Sequence, residues 1–73
     1  MNIPTYQIEN NMLVIIPCLG AYGPCSIEWL VRYCLEQKDT TREAVLAAID
    51  RIASSPEATV EDGYLMFEGL GGC

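Results

Sequence analysis

Seventy-three residues make one small domain, and a chain this short is marginal unless its core is dense or something staples it. Ten acidic residues against four basic ones give a net charge of −6, which argues against a nucleic-acid binder, because phosphate contacts need clustered Lys and Arg. Hydrophobic residues make up 51% of the chain, enough for a real core, so a disordered chain is excluded.

In chain order, Ile3-Pro4 reads as extended, because proline disfavours helix in the residue before it. Thr5–Glu9 alternates, with Tyr6 and Ile8 on one side, the pattern of a half-buried strand. Asn10-Asn11 tolerates the positive φ of a tight turn. Met12–Ile16 is a continuous apolar run and reads as a second strand that Pro17 ends. These residues predict an N-terminal β-hairpin. Residues 18–25 contain Gly20, Gly23 and Pro24 and predict an irregular connector.

Ser26 is a candidate N-cap, with Glu28 in the first helical turn. Ile27, Leu30, Val31, Cys34 and Leu35 then recur at the spacing of one buried helical face. Trp29, Arg32, Tyr33 and Glu36 fall opposite. Thr40-Thr-Arg-Glu43 reads as a capping box that opens a second helix, with Thr40 as the cap. Val45, Ala48, Ile49 and Ile52, widened by Leu46 and Ala53, form its apolar stripe, and Ser54-Ser55-Pro56 stops it. Asp62-Gly63 suits a hairpin turn, with a short strand near Val60 before it and Tyr64–Phe67 as a strand after it. That last strand is expected to pair beside Met12–Ile16. Residues 69–73 read as a flexible tail.

The order β-β-α-α-β predicts an α+β domain, a small antiparallel sheet packed against two helices. The helix–turn–helix–hairpin segment also admits a winged-helix-like reading. The N-terminus has no positively charged region, and no apolar run is long enough to span a bilayer. The expectation is a cytoplasmic protein without a membrane partner, whose cysteines are thiols.

Chemistry is sparse. Cys25 precedes a helix, where backbone N–H groups lower a thiol's pKa, but the chain has no histidine to serve as its base. Cys18 and Cys25 are too far apart in sequence for a usual zinc pair. A thiol or metal protein using them is therefore the weaker reading, and no cofactor, metal or enzymatic activity is expected. Trp29, Arg32 and Tyr33 form an aromatic and cationic set of the kind that anchors interfaces. Glu57, Glu61 and Asp62 form an acidic region suited to a basic surface, which Glu43 and Asp50 extend.

These features predict a non-enzymatic interaction module, an inhibitor that occupies a surface of a larger host protein, with no direct nucleic-acid contact. Small acidic proteins of phages and mobile elements, anti-CRISPR proteins included, share this size and charge. The apolar composition also predicts self-association as a homodimer. A winged-helix-like transcriptional regulator is the alternative.

Overall fold

The computed structural model describes residues 3–37 and 39–68. It is an α+β arrangement of three helices and a three-stranded antiparallel sheet. The elements are α1 (Thr5–Tyr22), β1 (Cys25–Ser26), α2 (Ile27–Gln37), α3 (Arg42–Ala53), β2 (Ala58–Glu61) and β3 (Tyr64–Phe67). The sheet order is β1-β3-β2.

The N-terminal hairpin is corrected to one helix of 18 residues. Ile8, Met12, Ile15 and Leu19 are spaced four, three and four residues apart, which places them on one helical stripe together with Asn11 and Cys18. An apolar run as short as Met12–Ile16 fits a strand or a buried helix equally well by pattern, so packing decides. As a strand it would point alternate residues to two faces, and this small chain cannot cover both. As a helix it buries Ile15, Cys18 and Leu19 and leaves Leu13 and Pro17 outside. Pro17 lies within the helix and removes one backbone hydrogen bond, at a cost of about 3 kcal/mol. Burial of the apolar side chains, at about 1.5–3 kcal/mol each, outweighs that cost. Pro4 precedes the first turn with ψ 134°, and its carbonyl accepts from Gln7 N–H at 3.0 Å. The irregular connector shrinks to Gly23-Pro24. Gly23 adopts φ 79°, and its N–H donates to the Leu19 carbonyl at 3.0 Å, which ends α1.

Helix α2 buries Leu30, Val31 and Cys34. Leu35, expected in that face, is exposed. The Ser26 hydroxyl accepts from Trp29 N–H at 3.4 Å, a weak first-turn cap. The cap of α3 is Thr41, not Thr40: the Thr41 hydroxyl accepts from Ala44 N–H at 3.2 Å. Ala44, Val45, Ala48, Ile49 and Ile52 are its buried residues, and Leu46 is exposed.

β3 does not pair with the N-terminal segment, because that segment is helical. It lies between β1 and β2, with Cys25 opposite Leu65 and Val60 opposite Leu65 from the other side. Glu61 pairs with Tyr64, leaving Asp62-Gly63 as a two-residue loop with φ of 54° and 77°. Positive φ at both positions is the type I′ geometry that Asp-Gly favours. The Gly63 carbonyl accepts from Ile27 N–H at 2.9 Å, fastening this turn to the start of α2. One core unites the elements: Ile15 and Leu19 from α1, Leu30, Val31 and Cys34 from α2, Val45, Ile49 and Ile52 from α3, and Leu65 from β3. Among the described residues no helix is long and apolar enough to cross a membrane. The proposed tail at 69–73 lies outside the described residues.

Candidate functional site: an aromatic face on α1 and α2

The α2 register that sends Leu30, Val31 and Cys34 inward sends Trp29, Arg32 and Glu36 outward. Trp29 is 42% exposed, Arg32 is exposed and Tyr33 is half-buried. Trp29 and Tyr33, one helical turn apart, stack with ring centroids 5.0 Å apart and planes 12° apart. Tyr22, at the end of α1, meets Trp29 edge-on at 5.9 Å and 85°. Three aromatic rings therefore form a continuous ladder across the end of α1 and the outer face of α2. Leu13 and Pro17 continue it along α1, in a depression that they share with Tyr22 and Tyr33.

Tyr22 is the residue that sequence reasoning missed. It lies in the segment read as a connector, and no local periodicity links it to Trp29 across Gly23-Pro24. Recognition of α1 as a helix is what would have placed it, because Gly23 then turns the chain so that the last residue of α1 meets the first turn of α2.

Ser26, Glu28, Trp29, Arg32, Tyr33 and Glu36 line a shallow depression beside the ladder. Glu28 is paired across to Arg42 at 3.0 Å. The hydrogen bond from Arg42, and then its charge, hold the Glu28 carboxyl below its usual range. Both groups are solvated, so the pair contributes little stability. Arg32 makes no ion pair among the described residues.

Glu57, Glu61 and Asp62 are exposed, but Glu61 and Asp62 lie on the β2–β3 hairpin and Glu57 just before it, outside that depression. The six predicted site residues thus fall into two groups, an aromatic one on α2 and an acidic one at the hairpin. Glu43 and Asp50 are exposed on α3.

The thiols are placed for packing. Cys18, Cys25 and Cys34 are buried and free. The Cys25 Sγ donates to the Gly23 carbonyl at 3.3 Å and approaches the Cys18 carbonyl at 3.8 Å. The lowered pKa expected for Cys25 is corrected: burial, and then the neighbouring Cys18, push it up. Burial likewise raises Cys18. Burial, and then Cys18, raise Cys34 to about 11. Such thiols are poor nucleophiles at neutral pH. Among the described residues no group of three or more His, Cys, Asp or Glu is placed to hold a metal ion.

Comparison with known protein families, curated proteins and solved structures finds no match for this chain.

Proposed function

We propose that this chain is a small, acidic, non-enzymatic interaction module that occupies a surface of a larger protein. The observation that carries this reading is the ladder Tyr22–Trp29–Tyr33, exposed at Tyr22 and Trp29 and half-buried at Tyr33, with exposed Arg32 beside it. Exposed Trp, Tyr and Arg are the residue types that dominate binding energy at protein interfaces, and Tyr22 and Trp29 lie outside the core, while Tyr33 packs one side against it. A chain with no histidine and with its described thiols buried has little to offer a covalent or acid–base mechanism. Its role as an inhibitor of a host protein, of the phage or mobile-element kind, rests on size and charge.

The test is affinity capture from the native host's lysate, with the wild type, with Trp29→Ala/Tyr33→Ala and with Glu57, Glu61 and Asp62 neutralised. A partner retained by the wild type and lost with the aromatic pair supports the reading. Equal recovery with all three proteins removes it. Light scattering distinguishes a homodimer built on the same face.

The element order supports a second reading, a winged-helix-like regulator. A helix, a short strand, two helices joined by a tight turn and a hairpin, with the first strand beside the last, is the order of that fold. Its charges oppose nucleic-acid use. The exposed residues of α3 include Glu43 and Asp50 as well as Arg42 and Arg51, and Arg42 is paired with Glu28. The hairpin tip carries Glu61 and Asp62, where contact with a phosphate backbone needs bases. Fluorescence anisotropy with duplex DNA at low salt separates the two readings, and micromolar binding that weakens with salt favours the regulator.

A further inference from the structure

We propose that the corner between Tyr22 and Trp29 receives a cationic side chain, arginine or lysine, from the protein that this face engages. The proposal rests on the interaction reading above and names the chemistry of the partner. The two rings stand at 85°, and with Pro24, Cys25 and Ser26 they wall a pocket of about 300 Å³. Aromatic faces are the negative pole of the ring quadrupole, and a cation over them is attracted electrostatically.

Apart from the Ser26 hydroxyl, the rest of the lining offers an anion few donors. Pro24 has no N–H. The Cys25 thiol donates to the Gly23 carbonyl. The nearby N–H groups of Ile27 and Trp29 are engaged with the Gly63 carbonyl and the Ser26 hydroxyl. No basic side chain lines the pocket. Arg32 belongs to the neighbouring depression, where Glu28 and Glu36 accompany it. The whole chain carries −6, so the long-range field also draws a cation inward. Arginine suits the corner better than lysine, because its planar guanidinium stacks on an aromatic face.

Trp29 is the only tryptophan, so its emission reports on the corner directly. The full chain is titrated with N-acetylarginine amide and with the uncharged citrulline counterpart, at constant ionic strength. The expected result is a saturable change in emission, with the arginine compound binding about two- to fivefold more tightly, the range of an exposed cation–π contact. Tyr22→Leu should abolish the preference and Tyr22→Phe should keep it. Tyr22 is 69% exposed, so both variants are expected to fold, which circular dichroism verifies. Equal binding of the two compounds, no response to either, or a preference that survives Tyr22→Leu overturns the proposal. If the preference is absent while Trp29→Ala/Tyr33→Ala still loses the captured partner, the cation assignment falls and the interaction reading stands.

Discussion

Asn11 and Thr40, 29 positions apart, meet at 2.9 Å, with Asn11 Nδ2 donating to Thr40 Oγ1. Asn11 is fully buried in the apolar stripe of α1, and its Oδ1 has no partner. The contact ties α1 to the residues that lead into α3 while leaving one polar atom unsatisfied. An apolar group in place of the amide removes the unpaired Oδ1 but leaves the half-buried Thr40 Oγ1 without its donor, two effects of opposite sign that largely offset. Asn11→Leu is therefore expected to change stability by no more than about 1 kcal/mol in either direction. Asn11→Asp buries a charge near Asp39, which shares a pocket with Asn11, and is expected to cost several kcal/mol, at least about 2. Urea unfolding of both variants measures this. A Leu variant weakened by more than about 2 kcal/mol would show that the lost contact to Thr40 outweighs relief of the unpaired Oδ1.

Ile15 tests the helical assignment of the N-terminal segment. It is fully buried and packs in the shared core. Ile15→Ala is expected to cost about 2–5 kcal/mol. At roughly 0.05–0.15 kcal/mol per residue, a chain of this length holds roughly 4–11 kcal/mol. The variant should thus be severely weakened, while Leu13→Ala, at 70% exposure, should lie within about 0.5 kcal/mol of wild type. Thermal unfolding of the pair decides it, and equal losses would contradict the register of α1.

The Asp62-Gly63 turn gives a backbone prediction. An added Cβ at Gly63 would meet nothing within 4 Å, so only its φ of 77° opposes a side chain. Gly63→Ala is expected to cost about 1–2 kcal/mol through backbone strain. Asp62→Asn, which keeps the turn preference, is expected to be close to neutral. Denaturant midpoints for the two variants check this, and a harmless Gly63→Ala would exclude the type I′ turn.

The cysteines predict weakening in alkali. In the folded chain Cys34 keeps its proton up to about 11, whereas its ordinary value is 9.0. Between those values the unfolded chain has lost a proton that the folded chain retains, so stability falls as pH rises and levels off above the folded value. Cys34 contributes a slope of at most about 1.4 kcal/mol per pH unit, and Cys18 and Cys25, raised in the same direction, add to it. Urea midpoints at pH 8 and pH 10 should drop more for wild type than for Cys34→Ala. Identical drops would remove Cys34 as a source. By the same reasoning a Cys73→Ser protein should react slowly with a thiol reagent until it is unfolded.

The helices α2 and α3, the strand at Tyr64–Phe67 and the Asp62-Gly63 turn were legible in the sequence by itself. Each is set by local periodicity or by a backbone preference that neighbours do not overrule. The opposition of Trp29 and Arg32 to the buried stripe of α2 was legible for the same reason, whereas Tyr33, expected on that outer face, is half-buried against the core. The state of residues 5–22 was not. An apolar run with an asparagine pair before it and a proline after it carries competing local signals, and only burial of Ile15, Cys18 and Leu19 against α3 and the rest of the core resolves them. Tertiary structure also turned Asn11 from a turn residue into a buried contact and shifted the α3 cap from Thr40 to Thr41. It placed Tyr22 against Trp29, because the end of one helix and the start of the next are joined in space by a fold and not by spacing along the chain.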